Sequence, residues 1–245
     1  ASLTVNGGSL TLANASTINA TLTVSGGTLT ANGGLMTSAL NVSSGTLNGL
    51  SSLIVANSFS HTGGTIGSGF SLLDITQASG NLVFGAPLSV QSLTATAAAG
   101  AITQTGSITA DGAISLTSSG ALSAGALTAA TGVTVHTTGA SGDISLSGAT
   151  VSNGTLSVLS DLGNVTLNSG TYQTTATGLT ATSPAILVEA SGAGKTITFG
   201  SNALTTNTSG GIKLQASGDL NLGNVVFFSC PCPNTSVSAA GNVDI

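Results

Sequence analysis

Glycine followed by one small or polar residue and then by leucine, isoleucine or valine recurs along most of this 245-residue chain. The first nine of these glycines recur about every 19–20 residues, close to the lower end of the periods that solenoid repeats show. A unit of this length that keeps recurring indicates a repeat protein, in which each unit packs mainly against its neighbours. The glycines are Gly8, Gly27, Gly45, Gly64, Gly80, Gly100, Gly120, Gly142, Gly163, Gly218 and Gly241.

Between the glycines, apolar and small polar residues alternate with a period of two. The segment GDISLSGATV places Ile144 and Leu146 on one face, and Asp143 and Ser145 on the other. Such alternation is typical of short strands with one buried face, and the Gly, Asn and Ser residues between them favour turns. Because no convincing apolar stripe with the helical period of about 3.6 residues is present, the sequence predicts an all-β chain.

Short strands on a repeat of about 19–20 residues predict a right-handed parallel β-helix, a solenoid in which each repeat forms one rung. Roughly 12 rungs are expected over 1–245, as one segment with aliphatic side chains stacked inside. The repeats are more regular over 1–90 than over 91–226. Residues 227–236 are predicted to form an inserted loop and 237–245 a resumed rung. Neither end carries a polar or helical cap, so the segment is expected to continue in both directions.

Charge is scarce in this chain, and its scarcity excludes some functions. Charged residues make up 4% of the sequence, the only cations are two lysines, and the net charge is −5. Such a surface cannot neutralise phosphates, and aromatic residues for base stacking amount to 3%, so nucleic acid is excluded as a partner. The apolar runs are far shorter than the roughly 18 residues of a membrane-spanning segment, so the chain is not expected to span a membrane.

Three stretches carry a resemblance to a known family: GAITQTGSITADGAISLTSSGAL (100–122), GDISLSGATVSNGTLSVLSDLGNVTLNSG (142–170) and GGIKLQASGDLNLGNV (210–225). They resemble filamentous-haemagglutinin-type exoproteins, the large bacterial surface adhesins of two-partner secretion. The opening segment, 1–34, is similar to the strand repeats of autotransporter passengers. The resemblance implies a secreted, cell-surface β-helix that serves as a stalk or adhesive shaft.

The only two cysteines lie in FFSCPCPNTS, residues 227–236, together with two prolines. Proline cannot donate to a strand ladder, so this segment is expected to leave the coil. Cys230 and Cys232 are interpreted as part of a structural loop with a disulfide, or as a crosslink to another chain. A metal site is less favoured, because about four ligands are needed and His61 and His136 lie many rungs away.

The acidic residues are a second candidate site. Carbohydrate-processing β-helices need clustered carboxylates, and the separation of Asp143 and Asp161 along the chain is close to one rung. They stand at different offsets from their glycines, so the spacing does not guarantee that they stack. Calcium binding through Asp143, Asp161 or Asp219 is a further alternative. The simplest interpretation is that these acids lie in turns and face the solvent.

The remaining titratable groups are predicted to face solvent or to lie in turns: Lys195, Lys213, His61 and His136. Alternation with inward-facing valines turns His136 outward, and no paired acid is expected near either histidine. Threonine and serine are abundant along the whole chain. A flat and regular threonine face would order water as ice-binding solenoids do, but LTAT, at 93–96 and 179–182, does not recur on every rung.

These observations favour a structural and adhesive shaft of a secreted bacterial surface or filament-forming protein, of the kind found in an extracellular matrix or biofilm. The expected partners are other copies of the chain, end to end or side by side, and surface glycans, host molecules or matrix molecules. No catalytic, cofactor-binding or metal-binding residue is predicted, and the chain is not expected to be an enzyme. A carbohydrate-binding or carbohydrate-processing β-helix is the first alternative, and an ice-binding β-solenoid is the second.

Overall fold

The strands of this protein pair in parallel and stack as a solenoid of about ten turns. No helix occurs among the residues that the structure describes. The all-β parallel solenoid predicted from the repeat is therefore confirmed, and the number of turns is close to the expected value. The structure, a computed structural model, describes residues 1–168, 170–175, 184–200, 203–206, 211–223, 226–228 and 236–244.

The chain opens with four long strands, and the later strands are short and form three columns, one on each face of the coil. The long strands are β1 (Leu3–Leu12), β2 (Ser16–Ala31), β3 (Leu35–Gly49) and β4 (Ser52–His61). The first face continues with β6 (Leu72–Gln77), β9 (Leu93–Ala97), β12 (Ala113–Ser118), β15 (Gly132–Thr137), β18 (Thr155–Ser160), β21 (Ile186–Ala190), β24 (Ile212–Ala216) and β27 (Ser236–Ala239).

The second face continues with β7 (Leu82–Phe84), β10 (Ile102–Gln104), β13 (Leu122–Ala124), β16 (Ile144–Leu146), β19 (Val165–Leu167), β22 (Ile197–Phe199), β25 (Leu220–Asn221) and β28 (Val243–Asp244). The third face continues with β5 (Thr65–Ile66), β8 (Leu88–Val90), β11 (Ile108–Ala110), β14 (Leu127–Ala129), β17 (Ala149–Val151), β20 (Thr171–Thr174), β23 (Ala203–Thr206) and β26 (Val226–Phe228). The long strands turn the same corners through register shifts instead of breaks in pairing.

Aliphatic side chains of the same kind stack on one another along the axis. On the first face, Leu35, Leu53, Leu73, Leu93 and Ile114 are partners on successive rungs, and all are buried. Burying each of these side chains stabilises the fold by about 1.5–3 kcal/mol relative to leaving it exposed. The repeat predicted from the sequence is thus a stacking period. It lengthens further along the chain, where Leu156 on β18 has Ile186 on β21 as its partner.

The recurring glycines occupy two different corners of the coil. Leu47, which follows Gly45, pairs with Ile66 on the third face, whereas Leu82, which follows Gly80, pairs with Ile102 on the second. The early glycines therefore lie between the second and third faces, and the later ones lie between the first and second. The shortest glycine spacing, from Gly64 to Gly80, marks the change. The sequence pattern contains two successive repeats instead of one uniform repeat.

Buried hydroxyl groups hold the later corner from inside. The Ser160 hydroxyl donates to the carbonyl of Gly142 at 2.8 Å and accepts from the N–H of Gly163 at 2.9 Å. The Ser118 hydroxyl, two rungs earlier, lies 2.9 Å from the carbonyl oxygens of Gly100 and Gly120. Buried backbone groups need such partners, because leaving one unpaired costs about 1–3 kcal/mol.

Among the described strands, the ladder of the third face is interrupted between β5 and β8. Strand β5 pairs only with β3, and β8 is the end strand of a separate seven-stranded sheet that continues through β11. Pro87, next to β8, has no N–H to donate to a ladder. Phe70, in the connection after β5, is buried, and its ring occupies the space that a side chain at Gly49 would take. The core therefore stays filled at the interruption, although the backbone ladder is broken there.

Candidate interaction surface

Uncharged side chains, all but one of them polar, form a continuous outward column along the second face, which we name the second-face column. Its members are in register on successive rungs. Neighbouring parallel strands lie about 4.8 Å apart, so hydroxyl groups repeat along the axis at that spacing. The column comprises Thr4, Thr23, Asn41, Ser60, Val83, Thr103, Ser123, Ser145, Thr166, Thr198 and Asn221.

A groove of about 450 Å³ opens on the third face where the ladder is interrupted. Ile66 and Leu88 are buried at its base, and exposed hydroxyl side chains stand around it. The groove therefore offers both apolar and hydrogen-bonding surface, and no lining residue is charged. The lining residues are Gly64, Thr65, Ile66, Pro87, Leu88, Ser89, Ser107 and Thr109.

The candidate acids are dispersed among separate contacts. The rung neighbour of Asp143 is Asn164 and not Asp161, since β16 and β19 pair Ile144 with Val165. Among the described residues, no group of three or more His, Cys, Asp or Glu side chains is placed to hold a metal ion. Asp143 and Asp161 therefore do not stack at equivalent positions on successive rungs.

Aspartate and asparagine instead serve a structural purpose at the later corner. The side-chain oxygen of Asp143 accepts the backbone N–H of Asn164 at 2.7 Å, and Asn164 accepts the N–H of Thr196 at 3.0 Å. Asp219 likewise accepts the N–H of Asn242 at 2.8 Å. Each oxygen links a turn to the equivalent turn one rung on, so an amide or a carboxylate fits equally well. The signal in the sequence is Asn or Asp directly after the corner glycine.

His136 points outward as predicted, but the prediction that no acid lies near it is wrong. Its Nε2 lies 2.9 Å from Oδ1 of Asp161, with 30% and 50% of the two side chains exposed. His136 pairs with Leu159 on β18, and Asp161 follows two residues later, beside the same outward face. An exposed pair of this kind contributes roughly 0–1 kcal/mol. The pair is separate from the groove residues of the third face.

The prediction that His61 faces solvent or lies in an exposed turn is wrong. Its side chain is fully buried, and its strand partners are Val42 and Phe84. The imidazole packs edge-on against Phe59, with ring centroids 6.3 Å apart, and neither ring nitrogen has a hydrogen-bond partner. Burial lowers the pKa of His61, and the nearby backbone of Gly64 offsets part of that lowering.

The repeat carries a signal that places His61 inside. Val5, Val24 and Val42 each stand three residues before a corner glycine, and His61 stands three residues before Gly64. The register confirms that these residues occupy one buried column. Position within the repeat is therefore a better guide than polarity, because the neighbouring rungs fix which side of the strand is buried.

The other residues singled out in the sequence are the two lysines and the two cysteines. Lys195 and Lys213 are both partly exposed, in a turn and on the outward side of β24 respectively. Cys230 and Cys232 lie outside the described residues, so their disulfide or crosslink stays a prediction. None of the described residues belongs to a helix that is long and apolar enough to cross a membrane.

Comparison of this chain with protein-family models, with curated proteins and with solved structures finds no match.

Proposed function

We propose that this chain is a structural and adhesive shaft of a secreted, cell-surface bacterial protein, of the filamentous-haemagglutinin or autotransporter-passenger kind. The observation that supports the proposal most is the second-face column, which runs without a charge from Thr4 to Asn221. Hydroxyl and amide groups can both donate and accept hydrogen bonds, so they suit the hydroxyl-rich surface of a glycan or of another copy of the chain. No residue is assigned a catalytic role in this proposal.

The architecture fits a load-bearing role. Each rung is joined to the next by backbone hydrogen bonds on three faces over most of the length, and stacked aliphatic side chains fill the interior. Low charge removes the repulsion that usually keeps copies of a protein apart. These features support a stiff rod that contacts surfaces, matrix or neighbouring copies through its sides.

The test is to image the 245-residue chain and to measure its binding to polysaccharide-coated and protein-coated beads. We expect rods that associate side by side and adhere to beads. A Thr103→Lys/Thr166→Lys variant places two charges in the second-face column and should reduce lateral association and adhesion. The matched control, Thr94→Lys/Ser157→Lys, adds the same charges on the outward side of the first face. Compact single particles without adhesion, or equal losses in both variants, would contradict the proposal.

Ice binding is the second candidate function, because some rungs present two hydroxyl side chains on one strand. Thr28 and Thr30 lie side by side on β2, and Thr94 and Thr96 lie side by side on β9. On the first face, however, later rungs carry His136 and Leu159 at the same outward position, so the row of threonines does not continue. A purified protein that leaves ice recrystallisation unchanged would remove this candidate.

A further inference from the structure

We propose that the groove between β5 and β8 is a binding subsite for a neutral pyranose unit of a glycan chain. This inference rests on the proposed function as an adhesive shaft, and it assigns glycan recognition to one place on the rod. It is carried by the interrupted ladder, the hydroxyl lining and the absence of charge.

The interruption leaves the facing edges of two strands without a ladder at the sides of the groove. In a continuous parallel ladder, each strand offers N–H and C=O groups to the strand on either side. Strand β5 has a ladder partner only in β3, and β8 has one only in β11. The edges of β5 and β8 that face each other therefore have no ladder partner. Elsewhere among the described strands of the third face, from β8 to β26, the ladder continues from rung to rung.

The spacing of the two strands favours a small molecule over an inserted peptide strand. Cα atoms of β5 and β8 approach within 8 Å of each other. A peptide that paired with both edges would need two strand spacings, about 9.5 Å, between them. The groove volume of about 450 Å³ lies in the range of roughly 300–1,000 Å³ that is usual for small-molecule sites.

The chemistry of the lining favours an uncharged, hydroxyl-rich ligand. Thr65, Ser89, Ser107 and Thr109 are exposed and supply hydroxyl groups that can donate or accept hydrogen bonds. The exposed Pro87 supplies apolar surface against which the C–H face of a sugar ring can pack. No lining cation is present to pair with a carboxylate or sulfate, so an anionic sugar would lose its hydration without compensation.

The experiment is an NMR titration of the isotope-labelled 245-residue chain with cellobiose, maltose, lactose and N,N′-diacetylchitobiose. The anionic trisaccharide 3′-sialyllactose serves as the charged comparison. We expect at least one neutral disaccharide to cause saturable shift changes in the amides of residues 64–66 and 87–89. Ser89→Arg and Ser107→Arg each place a long side chain in the groove and should weaken that binding about tenfold or more, equivalent to about 1.4 kcal/mol.

Thr128→Arg is the matched control, because Thr128 is exposed on the same face, on β14, where the ladder is intact. It should change the affinity less than about twofold. The proposal is overturned if no neutral disaccharide shifts the groove amides, if shifts map elsewhere, or if 3′-sialyllactose binds best. If adhesion of the rod to polysaccharide beads persists in Ser89→Arg at full strength, the groove is excluded as the subsite while the adhesive function stands.

Discussion

At the scale of single residues, the side chains that break the repeat pattern fit the space that the adjacent rungs leave for them in the core. Gly49 has no side chain because the Phe70 ring occupies that space, although the two residues belong to different rungs. His61 takes the place that valine holds on the three preceding rungs, and its imidazole is buried without a hydrogen-bond partner. Phe70 and Gly49 could not be paired from the sequence, because Phe70 lies in the connection after β5 and the strand pattern does not show where that connection packs.

The buried imidazole predicts a pH-dependent stability. Folding lowers the pKa of His61, so below about pH 6.5 the unfolded chain takes up a proton that the folded chain does not. Stability should be fully present above that pH and should fall as the pH drops, by at most about 1.4 kcal/mol per pH unit for this one group. Urea denaturation between pH 7.5 and pH 5 should show the fall in the wild-type chain and its loss in His61→Val.

His136→Gln is the control for this measurement, because His136 is the other histidine and lies on the surface. It should keep the pH dependence of the wild-type chain. If His136→Gln abolishes the dependence, or if His61→Val retains it, the effect does not arise from the buried imidazole.

At the scale of strands and corners, the strand alternation was predictable and the corner geometry was not. The inward positions of Ile144 and Leu146 follow from the period of two in the sequence, and the structure confirms them. The exchange of corners between Gly64 and Gly80 was hidden, because the same three-residue pattern fits both corners. Only the strand register, in which Leu47 and Leu82 belong to different faces, distinguishes them.

The stacked corner predicts a sharp difference between two glycines. At Gly100, an added Cβ would collide with the backbone carbonyl of Gly80 on the preceding rung, which cannot move without disturbing the ladder. At Gly125, the nearest atom to an added Cβ is Nε2 of Gln104, at 3.8 Å. Gly100→Ala should therefore lower the free energy of unfolding by about 1–3 kcal/mol.

Gly125→Ala should be neutral or should stabilise the chain by up to about 1 kcal/mol, because alanine reduces the freedom of the unfolded chain. Thermal or urea denaturation of the two variants side by side measures the difference. Equal effects of the two substitutions would show that corner stacking does not restrict residue size as described.

At the scale of the whole molecule, the sequence predicted the solenoid but not its interaction surfaces. The period of two between the glycines was enough to predict an all-β chain, and the described strands confirm it. The groove was not predictable, because it arises from a missing ladder between β5 and β8 that local strand patterns do not show. Pro87 was a local signal, but its meaning depended on which strand would lie beside it.

Self-association of the intact chain should be insensitive to salt. The net charge is −5 over 245 residues, and the second-face column carries no charge. Added salt therefore has few charge interactions between copies to weaken. Light scattering at fixed protein concentration should change little between 50 mM and 500 mM NaCl. A strong decrease in scattering with added salt would show that attraction between charged groups holds the copies together instead.

The interrupted third face also has a mechanical consequence. Between β5 and β8 the coil is joined through the ladders of two faces, β4 to β6 and β4 to β7, while the third carries none. When such a rod is bent or pulled along its axis, this junction should yield before the fully laddered rungs. A shaft built in this way would flex at one defined level, near residues 66–88, and would dissipate load there without unravelling the stacked interior on either side.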